Sequence, residues 1–469
     1  VDYWEKTTQF ISNSPLLNHY FAASKIQQAT TVSTNSIVDA SIWQYNGEWV
    51  RDHSMMVIGL ILAGHHDMAR KLLVRLFRDF VTEHGDTVDS SQKRDYAEVE
   101  LDQNGILIHA LKTYVDWTGD FEIIQELWEK LKVTAEFPLK PVFRHAESGL
   151  LCNQREFWER HRVHGINQGI ELAYQFWVSI GLSDAASLAR IVKQNKFADH
   201  WEQEAQRIKH ALLNDAKFGL VDQRGFIKRR NIDGSVQETI IALREAQLPP
   251  GVPLASEARH FINPDTSAAL PIALGFIPPD SPVAIATMTS LEILWNQSWQ
   301  GGGYGRYHVS SEPDSPGGWP FPSLFLARAY VEMGEPKKVW RILNWMNTIP
   351  GAQAGSWFEF YGQRLAPPFP QVGITPWTWA EMLVLLVHHI VGLRPETEYF
   401  SIRPKLLPGI DQIEAVFPLR NFKLNLKIKR ALPGAATEFR SNGQIIKASS
   451  EQANIRYSNE DVWVDADVA

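Results

Sequence analysis

Two glutamates, Glu159 and Glu359, stand among aromatic residues and could work as a carboxyl pair. Glu159 lies in REFWERHRVHG (155–165) directly after Trp158, and Glu359 lies in GSWFEFYG (355–362). A carboxyl group held against an aromatic ring in a partly dry pocket stays protonated near neutral pH and can donate a proton. An ionised carboxylate opposite it could activate water. Each glutamate alone is equally well explained as an exposed charge or as one satisfied by a neighbouring arginine or amide.

A second motif, GEWVRDHSM at 47–55, places Trp49, Arg51 and Asp52 at the start of an apolar helix. An arginine fork beside a carboxylate can grip neighbouring hydroxyl groups of a ligand. The alternative is a helix cap with a surface ion pair, because an aspartate is stabilised near a helix N-terminus.

A third segment, GGGYGRYHVSSEPDSPGGWPFPS at 301–323, combines glycines with polar and aromatic side chains. Glycine lets the backbone approach a ligand closely. Arg306, Glu312 and Asp314 supply polar groups, and Trp319 supplies a stacking face. A solvated surface loop is the alternative, and a phosphate-binding loop is excluded because no Lys-Ser or Lys-Thr follows the glycines.

The tryptophan content is unusual, with 17 residues in a chain of 469. Indole rings offer flat apolar faces with one N–H donor, which suits stacking on the C–H faces of sugar rings. Trp158 and Trp357, next to the two glutamates, are candidate walls of such a site. Filling of a large core is the alternative for any one tryptophan.

Composition excludes several classes of function. The formal net charge of −7 argues against a nucleic-acid surface, and no apolar run is long enough to span a membrane. His161 and His164 have no third ligand at a suitable spacing, so a metal ion is not expected. The motifs imply no organic cofactor. A single cysteine, Cys152, and no basic-then-apolar leader favour the cytoplasm, although the first residue is Val1 and the N-terminus could be processed.

Hydrophobic periodicity predicts about a dozen helices. Some, such as 51–63 and 376–393, are apolar on nearly every side, and others, such as 67–84, carry one charged face. Helices of the first kind are buried and those of the second kind lie on the surface. Their alternation predicts an inner ring wrapped by an outer ring, an (α/α)6 barrel, with an irregular helical bundle as the alternative. The remaining predicted helices are 2–13, 98–117, 121–137, 165–180, 184–193, 200–213, 266–274, 282–295, 322–333 and 336–346.

Four long loops rich in Gly, Pro and Trp separate these helices and could crowd one mouth of the barrel. They are 43–49, 149–165, 297–322 and 351–376. From about residue 397 the pattern changes to alternating polar and apolar residues, with a hairpin signal at Asn442-Gly443. We therefore predict a catalytic barrel at 1–395 and a small antiparallel β-module at 396–469.

Taken in order, these motifs resemble those of the glucoamylase-type inverting hydrolases, glycoside hydrolase family 15 and its relatives. The family's aromatic-x-Arg-Asp motif matches residues 49–52, and its Arg and Asp bind the terminal sugar. The family's general acid is the Glu directly after Trp in a D-L-W-E-E motif. That Glu corresponds to Glu159, and the Asp of the motif corresponds to Glu156. The family's general base is a Glu ahead of a T-W-S-x-A helix, and that Glu corresponds to Glu359.

The resemblance also matches Arg306 and Trp319 to a substrate-binding G-R-Y…P-W segment. It implies an exo-acting, inverting hydrolase on an (α/α)6 barrel that releases glucose from an α-glucoside or oligosaccharide. Inversion needs the two carboxyl groups roughly 6.5–9.5 Å apart, which leaves room for a water molecule.

Several alternatives stay open. Related barrels cleave trehalose, α-1,6 branches or rhamnosides, and a helical-barrel polysaccharide lyase or a non-catalytic sugar-binding protein would share parts of the pattern. The sugar, the linkage, the oligomeric state and a missing upstream β-domain are not determined by the sequence.

Overall fold

The computed structural model describes residues 2–42, 47–89, 95–241, 260–297, 301–308, 317–362, 373–446, 448 and 451–468. Glu312 and Asp314, which the sequence analysis singled out, lie outside the described residues. In chain order the helices are α1 (Asp2–Glu5), α2 (Pro15–Thr31), α3 (Val50–Leu62), α4 (His66–Arg75), α5 (Leu101–Thr118), α6 (Glu122–Glu126), α7 (Trp128–Glu136), α8 (Leu172–Ile191), α9 (Asn195–Asn214), α10 (Leu270–Ala273), α11 (Pro282–Leu291), α12 (Pro320–Glu332), α13 (Pro336–Thr348) and α14 (Pro376–Val384).

Burial divides these helices into two rings, because only sequences that are apolar on all sides can be enclosed. Nearly every residue of α3, α5, α12 and α14 is buried, whereas α4, α7, α9 and α13 bury one stripe each. The inner ring runs through α3, α5, α8, α10, α12 and α14, and α14 packs back against α3 to close it. The predicted (α/α)6 barrel is confirmed.

Glycines set the closest approach within the inner ring, where α5 meets α8. A Cβ atom on Gly105 would lie 2.1 Å from the carbonyl oxygen of Trp177, and one on Gly181 would lie 2.5 Å from Cα of Gly105. Both distances are far inside van der Waals contact. The two helices therefore pack backbone against backbone, which only glycine permits here.

Some of the predicted helix boundaries are wrong. Residues 165–180 and 184–193 were predicted as two helices, but 172–191 form the single helix α8. The helix predicted at 2–13 is wrong beyond α1, because Gln9–Ser12 form a strand, and α2 was missed. No helix in the described part of the chain is long and apolar enough to cross a membrane.

The strands are short within the barrel and longer after it. In chain order they are β1 (Gln9–Ser12), β2 (Cys152–Asn153), β3 (Gly169–Glu171), β4 (Val221–Asp222), β5 (Gly225–Phe226), β6 (Arg229–Asn231), β7 (Thr239–Ile240), β8 (His260–Phe261), β9 (Leu393–Pro395), β10 (Tyr399–Ile402), β11 (Gln412–Leu419), β12 (Phe422–Arg430), β13 (Glu438–Ser441), β14 (Gln444–Ile446), β15 (Ala453–Arg456) and β16 (Val462–Val468).

The C-terminal β-module is built around a sheet in the order β1-β11-β12-β16-β13-β14. Its pairs are antiparallel as predicted, except that β12 and β16 run parallel. Asn442 and Gly443 join β13 to β14 with φ of 49° and 77°, the two left-handed positions of a tight hairpin turn, so the predicted hairpin is confirmed.

Strand β1 ties the two ends of the chain together, because it pairs with β11 in the C-terminal sheet. The division at residue 395 stays a prediction. The described structure nevertheless shows that the N-terminal segment contributes to the sheet that follows the barrel.

Candidate active site

A cavity of about 250 Å³ opens where the loops gather at the N-terminal ends of inner helices. Trp49 directly precedes α3, Thr375 directly precedes α14, and Phe321 lies in the first turn of α12. Each outer helix returns the chain to the same side of the ring, so these helix ends and their loops meet at one mouth. The cavity is lined by Ala40, Ser41, Trp49, Arg51, Asp52, Phe157, Trp158, Glu159, Arg306, Phe321, Glu359, Thr375 and Trp377.

The structure thus brings together most of the residues singled out in the sequence. Seven of them line the cavity: Trp49, Arg51, Asp52, Trp158, Glu159, Arg306 and Glu359. Glu156, Trp319 and Trp357 do not belong to this lining.

Glu159 stands in a strained turn. Its φ is 73°, a left-handed conformation that non-glycine residues rarely adopt and that a surrounding structure must impose. The turn is closed by hydrogen bonds from the backbone N–H of Glu159 to the carbonyl of Glu156, at 3.1 Å, and from the N–H of Glu156 to the carbonyl of Arg160, at 3.0 Å. This conformation fixes the direction in which the Glu159 side chain leaves the loop.

The Glu159 carboxylate is held by three donors while its side chain remains 39% exposed. The guanidinium of Arg51 lies 3.0 Å from Oε1 of Glu159. The guanidinium of Arg155 lies 3.2 Å from Oε2, and the indole Nε1 of Trp49 lies 3.3 Å from the same oxygen. The contact of this carboxyl group with the face of Trp158 stays a prediction. The indole N–H of Trp158 donates to Asp265 at 2.6 Å.

Arg51 is enclosed by protein groups and only 2% exposed. Besides Glu159, its guanidinium contacts Glu100 at 2.9 Å and Asp102 at 3.3 Å, donates to the carbonyl of Phe157, and stacks 4.7 Å from the centre of the Phe157 ring. The expectation that Arg51 grips a sugar therefore needs correction, because most of its hydrogen-bonding capacity is used inside the protein.

Asp52 faces the cavity next to both candidate glutamates. Burial raises the pKa of Asp52 well above its usual value; Arg51 opposes this, while the nearby carboxylates of Glu159, Asp89 and Glu359 add to it. Asp52 is therefore electrostatically coupled to the two glutamates, and in its protonated form it can donate a hydrogen bond to a ligand oxygen as well as accept one.

Glu359 is half-buried and reaches the cavity from a short extended segment. Its backbone N–H donates to the carbonyl of Gly373 at 2.8 Å. Phe358 and Ile42 both bridge to Ile374, directly before α14. This pairing attaches Glu359 to the start of an inner helix, 200 residues from Glu159 in sequence and in the same cavity (359 − 159 = 200).

Arg306 stacks between two tryptophans. Its guanidinium lies 3.8 Å from the ring centre of Trp319 and 5.5 Å from that of Trp158. Such cation–π contacts orient an arginine without using up all of its N–H donors. Trp319 is 2% exposed, so its role as a wall is corrected to that of a support behind Arg306.

Glu156 lies in the same loop as Glu159, three residues before it, and is 1% exposed. Lys228 and the hydroxyl of Tyr307 contact its carboxylate at 2.7 Å and 2.8 Å. Burial alone would raise the pKa of Glu156, but Lys228 and then Arg160 outweigh it and lower that pKa to about 2. The predicted substrate contact is therefore corrected to a structural ion pair.

Trp357 is completely buried. Its indole N–H donates to the carbonyl of Met346 at 3.1 Å, and its ring packs edge-on against Tyr20, 5.3 Å between ring centres. Its predicted role in binding substrate is corrected, since a side chain with no exposed surface belongs to the core.

Several lining residues were not predicted from the sequence, among them Phe157, Phe321 and Trp377. Trp377 stacks on Phe321 with ring centres 4.7 Å apart and an angle of 22° between the planes. The signal was present, because Trp377 opens the apolar helix in PWTWAEM, as Trp49 precedes the one in GEWVRDHSM. Within the described residues, no cluster of three or more His, Cys, Asp or Glu side chains could hold a metal ion.

No protein-family model matches the chain. Among curated proteins, it is 25% identical over 147 residues to Trehalase 1 of Sulfolobus acidocaldarius, a match that covers 25% of this chain and 26% of that protein. The chain thus spans about a quarter of the length of the curated relative it matches.

Solved structures share the fold across most of the chain. A glycosidase in complex with glucose superimposes with a TM-score of 0.59 and 17% identity, over 80% of this chain and 98% of that one. A bacterial glucoamylase complexed with acarbose gives a TM-score of 0.60 and 16% identity, over 83% of this chain and 57% of that one. The chain therefore has the fold of the (α/α)6 glycosidases.

Proposed function

We propose that this protein is an exo-acting, inverting glycoside hydrolase that releases glucose from α-glucosides, with Glu159 as general acid and Glu359 as general base. The observation that carries the proposal is that these two glutamates line one cavity, together with Asp52, Arg306 and an indole wall. The fold shared with glycosidases supports it.

The walls of the cavity suit a sugar ring. Trp49, Trp158 and Trp377 line the cavity, and indole rings suit packing on sugar C–H groups. Asp52 and Arg306 supply an acceptor and a charged donor for hydroxyl groups. At about 250 Å³ the cavity lies at the small end of ligand sites, which favours removal of one terminal unit over binding of a long internal segment.

The reaction follows from the two carboxyl groups. Protonated Glu159 gives its proton to the glycosidic oxygen as the bond from that oxygen to the anomeric carbon breaks. Water attacks the anomeric carbon from the opposite face and gives its proton to ionised Glu359. The anomeric configuration is inverted, which requires the carboxyl groups to lie roughly 6.5–9.5 Å apart.

The test is hydrolysis of a panel of α-linked glucose disaccharides, with proton NMR of the first product formed. We expect release of glucose as the β-anomer from an α-linked substrate. Retention of configuration would contradict the scheme with water between the carboxylates, and the absence of hydrolysis across the panel would contradict the glucosidase assignment. Absorbance of a new double bond in the product would instead identify a lyase.

Trehalose is the second candidate substrate, favoured by the similarity to a trehalase. Trehalose belongs in the same panel, because its hydrolysis uses the same acid and base. The glucose attacked by water is released as the inverted β-anomer, and the departing glucose keeps its α-configuration. A kcat/KM for trehalose at least about tenfold above that for any other disaccharide would assign the enzyme as a trehalase.

A further inference from the structure

The structure contains a buried carboxylate behind the proposed acid. Glu100 is the residue before α5 and is 3% exposed. Its carboxylate accepts hydrogen bonds from the guanidinium groups of Arg51, at 2.9 Å, and Arg155, and from the amide of Gln103. The start of an 18-residue helix favours a negative charge at this position.

Both arginines that Glu100 holds also contact Glu159, and they approach different oxygens. Arg51 lies 3.0 Å from Oε1 and Arg155 lies 3.2 Å from Oε2. The buried carboxylate of Glu100 thus positions two guanidinium groups. These guanidinium groups in turn hold the two oxygens of the exposed Glu159 carboxylate. Their planar forks are suited to bridging two carboxylates at once.

We propose that Glu100 is a positioning residue for the general acid, which sets Arg51 and Arg155 against Glu159 and balances their charge. We call Glu100, Arg51 and Arg155 the acid clamp. This inference rests on the proposed function, because it concerns how Glu159 acts as an acid.

Charge balance explains why two arginines are compatible with an acid role. Two uncompensated cations beside a carboxylate favour its ionised form, which has no proton to give. Glu100 supplies one compensating charge, and Asp102, 3.3 Å from Arg51, supplies part of a second, since burial raises the pKa of Asp102 to about 7. The charged groups that face Glu159 directly or through the arginines are Arg51 and Asp52 on α3, Arg155 on its own loop, and Glu100 and Asp102 at the start of α5.

Two substitutions separate the geometry of the clamp from its charge. Glu100→Gln keeps the shape and removes the charge. The alkaline limb of the plot of kcat/KM against pH reports the pKa of the general acid, and it should shift to lower pH by about one pH unit. Glu100→Asp keeps the charge but shortens the reach, so it should lower kcat by about tenfold or more and leave that limb in place. Glu98→Gln is the matched control, because Glu98 contacts His161 outside the clamp, and it should change neither quantity.

The proposal is overturned if Glu100→Gln keeps the wild-type limb and a kcat within about twofold of wild type. Circular dichroism shows whether each variant folds. If Glu100→Gln does not fold, Arg155→Lys replaces it: a lysine keeps the charge but not the fork, so kcat should fall about tenfold with the limb unmoved. Wild-type kcat in both Arg155→Lys and Glu100→Asp would then overturn the proposal.

A readout independent of activity separates this proposal from the proposed function. In protein labelled with ¹³C at the glutamate carboxyl carbon, the Glu159 signal is identified by its loss in Glu159→Gln. A titration midpoint about one pH unit lower in Glu100→Gln supports the clamp even if no glycoside is hydrolysed. An unchanged midpoint in an active hydrolase overturns the clamp and leaves the function standing.

Discussion

The guanidinium of Arg51 and the carboxylate of Glu159 form an ion pair at 3.0 Å that joins the first turn of α3 to the loop of residues 155–160. The arginine is buried in the barrel wall and the glutamate is exposed to the cavity. The position of the proposed acid is therefore set by a rigid inner helix as well as by its own strained turn, as a catalytic group requires.

Replacing either proposed catalytic glutamate should abolish most of the activity. We expect Glu159→Gln and Glu359→Gln each to lower kcat by at least about 10²-fold, because a neutral amide neither gives nor takes the proton. The measurement is the initial rate of hydrolysis on the best disaccharide of the panel. Glu414→Gln, on the exposed face of β11, is the control and should retain wild-type kcat. Near wild-type activity in either variant would remove that glutamate from its role.

Lys228 should be a determinant of stability. Its buried ammonium group lies 2.7 Å from Glu156 and 2.6 Å from Asp265, and 3.5 Å from Glu171. Lys228→Met removes the cation that contacts Glu156 and Asp265 and leaves Glu171 with Arg229 alone, 3.0 Å away, so it should lower the free energy of unfolding by about 3–5 kcal/mol. Urea unfolding measures this change.

The control for that experiment is Lys217→Met. Lys217 contacts Glu147 at 3.2 Å on the surface, where an ion pair contributes less than about 1 kcal/mol. Equal losses in the two variants would show that the buried cluster adds nothing beyond an ordinary surface pair.

Strand β1 should stabilise the molecule through one of its two faces. Phe10 points inward and stacks on Phe21 of α2 with ring centres 5.0 Å apart, whereas Ile11 is 66% exposed. Phe10→Ala should cost about 3–5 kcal/mol of unfolding free energy, because it opens a cavity between the sheet and the barrel. Ile11→Ala on the same strand should stay within about 0.5 kcal/mol. A small loss for Phe10→Ala would mean that the barrel does not depend on this contact.

Buried histidines should make the protein less stable in mild acid. His65 lies between the hydroxyl of Tyr3, at 2.7 Å, and the carbonyl of Lys25, and burial lowers its pKa to about 4. An unfolded histidine titrates near pH 6.5, so the unfolded chain binds the extra proton first. The contribution of neutral His65 to the free energy of unfolding is therefore fully present above about pH 6.5. This contribution, about 3 kcal/mol, declines as the pH falls and is lost once the pH has passed through about 4.

The check is urea unfolding of wild type and His65→Gln at pH 7 and at pH 4.5. The variant should lose less free energy of unfolding between the two pH values than wild type does. Identical losses would show that His65 does not titrate with a lowered pKa in the folded protein.

The sequence by itself determined the fold class and most of the cavity lining. Helices such as α3 are apolar on every side, and a sequence of that kind has no stable place except an inner ring. The motifs that carry Trp49, Asp52, Glu159, Arg306 and Glu359 were visible because each joins charged residues to aromatic ones. Trp49 and Asp52 also stand at the start of a helix. Local pattern was sufficient wherever burial and chemistry were encoded within about ten neighbouring residues.

Only the tertiary structure decided which side chains face the cavity and which support it. Trp357 and Glu156 adjoin the glutamates in sequence, yet one lies in the core and the other pairs with Lys228. Glu100 went unnoticed because its partners lie 49 and 55 residues away along the chain. Strand β1 was missed for the same reason, since its pairing partner is supplied by residues about 400 positions later. Contacts between distant segments depend on how the whole chain closes on itself, and no local pattern records them.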